Sequence, residues 1–264
     1  MSLGSAASAV RAESVGKTYS TRTGTVEALR DVSVAVERGE FVSLVGASGC
    51  GKSTMLKIVA GLVPFETGAV EVLGRPASAG RREVGLMMQS AVLLPWRTVL
   101  ANVLLPIEVH GEDGKRATSR AREILDMTGL RGFEDKYPWE LSGGMQQRVS
   151  LSRLLVMEPE LLLMDEPFAA LDEFTRERLN LEIAGIHERI GSSTLYVTHN
   201  IPEAVFLSDR VVVMTSRPGR ILDVVTVPLP RPRSAAMLVS HEVTSVVQEI
   251  RTLLGTGATM QEVT

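Results

Sequence analysis

The stretch GASGCGKST, Gly46–Thr54, decides the fold because it joins an apolar run to a helical pattern. The run before it is Phe41–Val45 (FVSLV), and the pattern after it covers Ser53–Gly61. Its G-x4-G-K-S spacing is typical of a loop whose backbone N–H groups wrap phosphates closely. The alternative is a glycine-rich strand-to-helix turn without a ligand. The preceding strand and the following helix favour the phosphate-binding loop.

Three residues of this loop have individual interpretations. Lys52 would meet the β- and γ-phosphates, and Ser53 would hold Mg²⁺ at the start of the helix. Cys50 is interpreted as a small residue beside the phosphate turn rather than a redox switch. We expect the whole loop to surround a nucleotide: Gly46, Ala47, Ser48, Gly49, Cys50, Gly51, Lys52, Ser53 and Thr54.

Three further apolar runs predict strands buried on both faces of a parallel sheet, namely Leu161–Met164, Leu195–Val197 and Val211–Met214. Helical patterns separate the runs; one spans Asp172–Ile190, with Asp172 at its start and Gly191 after its end. Alternating strands and helices indicate an α/β, doubly wound architecture.

The acidic pair Asp165–Glu166 follows the second apolar run, and His199 follows the third. Open α/β sheets bind ligands at the carboxyl ends of their strands, so these side chains should meet the glycine-rich loop in one crevice. Asp165 can hold Mg²⁺ through water, and Glu166 is the candidate for polarising an attacking water. The alternative is a pair of acids that caps the following segment.

The remaining segments suggest the organisation of the chain. Alternating valines in DVSVAVERGE, residues 31–40, predict a half-buried antiparallel strand beside the main sheet. Helical patterns replace strands between about residues 90 and 158, which predicts a helical subdomain. We therefore expect a nucleotide-binding domain at 10–230 and a helical extension at 231–264, in which Met237–Leu254 is amphipathic.

Composition narrows the function classes. The chain has 264 residues, 44% of them hydrophobic, enough for a real core. A net charge of −3 gives no electrostatic argument for nucleic-acid binding.

The apolar stretch Gly85–Val109 contains Pro95, Arg97, Asn102 and Pro106, which are costly in lipid, so a strand, a loop and a short helix are expected there. A single cysteine fits a reducing compartment, and the first residues have no apolar signal-peptide core.

A second candidate anion site is LSGGMQQR, Leu141–Arg148. Ser142 and two glycines at the start of a helix, predicted over Gly144–Met157, present a hydroxyl and free N–H groups. A plain helix cap is the alternative. Since the first loop already cradles phosphates, a second cradle requires either a second nucleotide or a second subunit.

The order of these motifs resembles that of ATP-binding cassette (ABC) ATPase subunits from about residue 10 to 220. The resemblance implies a P-loop NTPase with a RecA-like, mostly parallel core, an antiparallel β layer and a helical subdomain at about 90–158. It implies ATP and Mg²⁺ as ligands, and a homodimer in which two chains sandwich two ATP molecules. Ser142, Gly143 and Gly144 of one chain would contact the γ-phosphate held by the other.

The same resemblance implies roles for four further residues. Tyr19 would stack on adenine, although an exposed hairpin tyrosine is the alternative. Gln89 would bind Mg²⁺ and link the attacking water to the helical subdomain. His199 would contact the γ-phosphate. With Glu166 and Gln89 it completes the set of expected catalytic residues. Asp172 would bridge the dimer seam while it caps its helix.

AVLLPWRTVLANV after Gln89, with SRPGRI at 216–221 and PLPRPR at 228–233, resembles the importer subfamily for nitrate, sulfonate, taurine and related compounds. That likeness implies hydrolysis that drives membrane permease subunits, an extracytoplasmic solute-binding protein acting indirectly, and a peripheral position on the cytoplasmic face of the membrane. Trp96 is interpreted both as packing the hinge and as part of the surface that receives a permease helix.

Two other functions remain as alternatives. A related cassette acting on nucleic acid or ribosomes usually has a coiled-coil insertion or a second cassette. Here only about 90 residues separate Thr54 from LSGGMQQR. An isolated nucleotide switch without coupling is the other alternative, and LSGGMQQR argues against it.

Overall fold

The structure is a computed structural model that describes residues 8–22, 24–112 and 114–261, without the side chains of 256–261. Over these residues the chain forms ten strands and eight α-helices. The strands are β1 (Val10–Thr21), β2 (Gly24–Val36), β3 (Phe41–Val45), β4 (Thr67–Val72), β5 (Arg75–Pro76), β6 (Val84–Met87), β7 (Leu161–Asp165), β8 (Ser193–Val197), β9 (Arg210–Met214) and β10 (Ile221–Thr226). The helices are α1 (Lys52–Val59), α2 (Val99–Val103), α3 (Leu105–His110), α4 (Gly114–Met127), α5 (Gly143–Leu155), α6 (Glu173–Ile190), α7 (Ile201–Leu207) and α8 (His241–Gln261).

The central sheet has six strands in the order β10-β9-β3-β8-β7-β6. Every pair is parallel except β9 with the edge strand β10. Every residue of β3, β7 and β8 is buried, which confirms the prediction of strands covered on both faces. Along β7, Leu161 and Leu163 face α1, whereas Leu162 and Met164 face the helices on the other side. Each such side chain contributes about 2 kcal/mol by burial.

A second sheet with the order β2-β1-β4-β5 is antiparallel throughout and covers α1 from the outside. The alternating valines predicted to face the core, Val32, Val34 and Val36, are buried at 1%, 6% and 0% exposure. They join α1 and one face of the central sheet in a single apolar cluster. The expected α/β architecture with an antiparallel layer is therefore confirmed.

Helices α2 to α5 occupy residues 99–155, between strands β6 and β7. Their apolar faces share one cluster with α6 and the nearer face of the central sheet. Helix α5 begins one residue earlier and ends two residues earlier than predicted. Directly after it, the Glu158 N–H donates to the Leu155 carbonyl oxygen at 2.9 Å, which closes a tighter turn, and Glu158 itself has a φ of 51° before Pro159.

The C-terminal segment packs against the sheet edge. Ser240 divides the predicted amphipathic stretch, because its Oγ accepts a hydrogen bond from the Val243 N–H and so starts α8 at His241. Val243, Val246 and Ile250 of this helix are buried against α7, β9 and β10. The division at residue 230 stays a prediction. No helix in the described ranges is both long and apolar enough to cross a bilayer.

Candidate nucleotide site

The glycine-rich loop at residues 46–54 connects β3 to α1. Gly51 has a φ of 100°, and a Cβ there would lie 2.7 Å from the carbonyl oxygen of Ala28. A Cβ on Gly46 would lie 2.8 Å from the carbonyl oxygen of Met214. Glycine is required at both positions because the loop passes so close to neighbouring backbone. The loop can therefore take the tight path that phosphate binding requires.

Lys52 lies across the inside of this loop. Its side chain is buried, and Nζ donates hydrogen bonds to the carbonyl oxygens of Gly46 at 2.8 Å and Ala47 at 3.1 Å. These contacts hold an ammonium group at the centre of the loop. A positive charge in this position suits a bound phosphate chain.

Ser53 and Asp165 meet although 112 residues separate them. The Ser53 hydroxyl donates to Oδ1 of Asp165 at 2.7 Å, and Asp165 is 6% exposed at the end of β7. The pair joins the start of α1 to the carboxyl end of a strand, as the sequence predicted. A hydroxyl and a carboxylate oxygen this close are a donor set that suits Mg²⁺ when phosphate oxygens complete it. The described residues contain no cluster of three His, Cys, Asp or Glu side chains that would hold a metal without the nucleotide.

Glu166 and His199 form a second pair at the same edge of the sheet. Oε2 of Glu166 lies 2.9 Å from Nδ1 of His199. Glu166 has a φ of 45°, a left-handed conformation that costs a non-glycine residue about 1 kcal/mol. Its N–H donates to the carbonyl oxygen of Val197 at 2.8 Å, which offsets part of this cost. Glu166 lies beside the glycine-rich loop, in a cavity that it lines with Lys52 and Ser53.

A buried carboxylate that the sequence reasoning missed lies behind His199. Glu203 on α7 is 5% exposed, and it accepts hydrogen bonds from the Tyr196 and Thr198 hydroxyls at 2.7 Å each. Burial raises the pKa of Glu203 above its usual value. Thr198 also accepts from the Asn200 N–H at 3.0 Å, so the network holds both neighbours of His199. The signal was Asn200 followed three residues later by a glutamate, a helix-start pattern.

A cavity of about 220 Å³ collects many of the predicted residues. Its lining residues are Tyr19, Val26, Ala28, Ser48, Gly49, Gly51, Lys52, Ser53, Thr54, Glu166 and Arg217. The Lys17 ammonium lies over the Tyr19 ring, 5.1 Å from the ring centroid, in a cation–π contact. The same ammonium forms an ion pair with Oε1 of Glu66 at 2.7 Å. Arg217 also lines this cavity, although the sequence pattern SRPGRI predicts no role for it. His199 lines an adjoining cavity of about 390 Å³, together with Gly46, Ala47 and Ser48.

The structure does not bring the LSGGMQQR residues into this cavity. Ser142 caps α5 by accepting a hydrogen bond from the Met145 N–H at 3.3 Å, and Asp172 caps α6 in the same way from Thr175. The Thr175 hydrogen bond lowers the pKa of Asp172. Gly144 lies where the two helix starts approach, because a Cβ there would be 3.0 Å from Cγ2 of Thr175. Ser142, Gly143 and Gly144 thus present a helix start away from their own chain's loop.

Gln89 also lies outside the cavity. Its side chain is exposed, and its backbone carbonyl accepts a hydrogen bond from Nε2 of Gln147 at 2.8 Å. The segment after β6 is therefore joined to α5. Trp96 is 71% exposed, so the interpretation that it packs the hinge is wrong. Its ring is instead available to a partner.

A larger cavity, of about 750 Å³, lies at the opposite end of the strands, among residues such as Arg38, Pro159 and Ser192. It has neither a glycine-rich loop nor the Ser53–Asp165 pair. Volume therefore does not identify the functional site here, and the chemistry of the lining residues does.

The fold and the loop with its lysine, serine and aspartate define the class of P-loop NTPases. The chain belongs to the ABC transporter family, whose pattern it matches over residues 29–169.

Two curated relatives and one solved structure resemble the chain over most of its length. An aliphatic sulfonates import ATP-binding protein of Bacillus cereus is 41% identical over 83% of this chain and 86% of the relative. A nitrate import ATP-binding protein of Synechocystis is 42% identical over 82% of this chain and 81% of the relative. A dimeric ATP-binding cassette in a post-hydrolysis state, bound to ADP and Pi, matches with a TM-score of 0.74 and 32% identity. That match covers 84% of this chain and all of the other.

Proposed function

We propose that this chain is the ATP-hydrolysing subunit of an ABC importer for nitrate, a sulfonate such as taurine, or a related small solute. One observation carries the proposal. Lys52, the Ser53–Asp165 pair and the Glu166–His199 pair all lie at one edge of the sheet, around the glycine-rich loop. The family and the importer relatives support the transport part.

Each side chain has one part in hydrolysis. The loop N–H groups and Lys52 bind the phosphates, while Tyr19 stacks on adenine through the ring face that Lys17 does not cover. Ser53 and Asp165, with Gln89, would hold Mg²⁺, which when bound neutralises charge on the phosphates. Glu166 orients the attacking water and accepts its proton, while His199 contacts the γ-phosphate and keeps the Glu166 carboxylate in place. Positioning and charge stabilisation supply most of the rate.

A second copy of the chain completes each ATP site in this proposal. Ser142, Gly143 and Gly144 start a helix outside their own cavity, so their free N–H groups and the helix dipole are available to a partner's γ-phosphate. Asp172 lies at the neighbouring helix start and would bridge the seam. A homodimer agrees with the dimeric state of the solved neighbour.

The subunit would act at the cytoplasmic face of the membrane, bound to permease subunits. An extracytoplasmic solute-binding protein would deliver the solute to that permease. The exposed ring of Trp96 and the Gln89–Gln147 link favour the surface after β6 as the permease contact. Movement there would reach α5 and its helix start directly. The importer relatives favour a transport role over an action on nucleic acid or ribosomes.

The variant Glu166→Gln tests the assignment of water activation. It should bind ATP with unchanged affinity, lose hydrolysis by about 100-fold or more, and accumulate a dimer in MgATP. Size-exclusion chromatography with light scattering measures the dimer, and phosphate release measures turnover. Lys52→Ala in the same buffers is the control that should stay monomeric, because it weakens nucleotide binding. A Glu166→Gln protein that stays monomeric and hydrolyses ATP normally would refute the assignment.

A further inference from the structure

The turn that follows β9 is fixed on the nucleotide loop. We call residues 216–219 the SRPG turn. Its flanking residues close it, because the Thr215 N–H donates to the carbonyl oxygen of Arg220 at 3.0 Å. Its last residue, Gly219, joins β2 through two backbone hydrogen bonds. The Gly219 N–H donates to the carbonyl oxygen of Ala28 at 3.0 Å, and the Arg30 N–H donates to the carbonyl oxygen of Gly219 at 2.9 Å. The turn is therefore tied to the strand that borders the cavity.

Gly219 also places the turn directly on the glycine-rich loop. A Cβ atom on Gly219 would lie 2.0 Å from the carbonyl oxygen of Cys50 and 3.1 Å from the Cys50 carbonyl carbon. No side chain larger than hydrogen fits between these two backbones. The position of the preceding residues relative to the loop is thus set by backbone contact.

Arg217 uses this placement to reach the cavity. It lines the 220 Å³ space together with Tyr19, Lys52 and Glu166. Its Nη2 donates to the carbonyl oxygen of Gly49 at 3.5 Å, the long limit for a hydrogen bond. Among the described residues, no carboxylate forms an ion pair with this guanidinium. A positive group without a counter-ion therefore lies at the mouth of a site built for anions.

We propose that Arg217 binds the phosphate chain of the nucleotide, as a second cation beside Lys52. The proposal rests on the proposed function, in which the nucleotide occupies this cavity. Lys52 approaches from inside the loop, whereas Arg217 approaches from the rim, so the two reach different phosphate oxygens. A planar fork of N–H donors suits phosphate, and the weak contact with Gly49 is readily exchanged for a charge-assisted one.

The test compares Arg217→Ala with Arg220→Ala. Arg220 belongs to the same loop and carries the same charge, but it does not line the cavity, so it is a matched control. Titration calorimetry with MgADP avoids turnover and ATP-driven dimerisation. Loss of one charge-assisted contact at the rim should raise the Kd for ADP about tenfold in Arg217→Ala, and leave Arg220→Ala within about twofold. Arg217→Lys should fall between, since it keeps the charge without the fork.

Kinetics and salt distinguish a phosphate contact from a structural effect. In Arg217→Ala the KM for ATP should rise by a similar factor with kcat nearly unchanged, and the gap from wild type should narrow as KCl is raised. Equal ADP affinity in Arg217→Ala and Arg220→Ala would overturn the proposal, as would a gap that does not depend on salt. If Lys52→Ala still loses nucleotide binding in that case, the proposed function stands without Arg217. If Lys52→Ala binds normally, the proposed function itself fails.

Discussion

Lowering the pH from 7 to 5 should destabilise this protein through one buried histidine. His187 on α6 is 5% exposed, and its ring meets the Phe41 ring edge-on at 5.2 Å between centroids. Nδ1 has no hydrogen-bond partner in the described structure. Burial, and then the positive charge of Arg231, lower the pKa of His187 to about 4. The folded protein therefore keeps this imidazole neutral where an unfolded chain would protonate it.

The size of the effect follows from proton linkage. An unfolded histidine has a pKa of about 6.5, so between pH 6.5 and 4 the unfolded chain binds a proton that the native His187 refuses. The stabilising contribution is complete above about pH 6.5 and is lost as the pH falls. From pH 7 to pH 5 the loss is about 2 kcal/mol, and at still lower pH it approaches about 3 kcal/mol.

Urea unfolding of wild type and His187→Leu at the two pH values measures this contribution. Carboxylates titrate in both proteins, so their share cancels in the comparison. Wild type should lose about 2 kcal/mol more than the variant, while His110→Gln, which removes an exposed histidine, should behave as wild type. An identical pH dependence in wild type and His187→Leu would refute the reasoning.

Two further changes test the site and its support. Lys52→Ala should weaken ATP binding by at least about tenfold, because it removes the cation inside the loop; unchanged affinity and turnover would remove Lys52 from the phosphate cradle. Glu203→Ala should lower the free energy of unfolding by about 3 kcal/mol, because the Tyr196 and Thr198 hydroxyls lose their buried acceptor. Glu203→Gln, which keeps an acceptor oxygen, should lose about 1 kcal/mol, and equal losses in the two variants would contradict this account of the network.

Local sequence predicted most of the fold, because the signals for these elements are short-range. The apolar run Phe41–Val45 matches β3 without an error, and Asp172 and Gly191 bound α6 as expected. Runs buried on both faces, helix caps and glycine after a helix act within a few residues. The less regular C-terminal stretch was predicted less well, since Ser240 can either continue a helical pattern or cap a new helix.

The positions of site residues could be predicted from the sequence where those residues follow the ends of parallel strands. They could not be predicted where long-range packing sets them. Ser53 and Asp165 meet because β3 and β7 flank β8 in one parallel sheet, a geometry that the motif order implies. For Glu203 the sequence offered a helix-start pattern after Asn200, which does not predict a buried carboxylate, and for Arg217 it offered no signal. Their positions depend on backbone contact between Gly219 and Cys50, and on how α7 packs under the end of β8.

By itself, then, the sequence determined the class of this protein: a phosphate-binding loop, an acidic strand end, a histidine and a helix start with exposed glycines, in an order that defines the family. Only the tertiary structure decided which of these share a cavity. The glycine-rich loop and Glu166 line one space, whereas Ser142, Gly143 and Gly144 start a helix outside it. The physical reason is that hydrogen bonds and caps are local, but the distance between a loop and a remote helix start depends on the packing of whole layers.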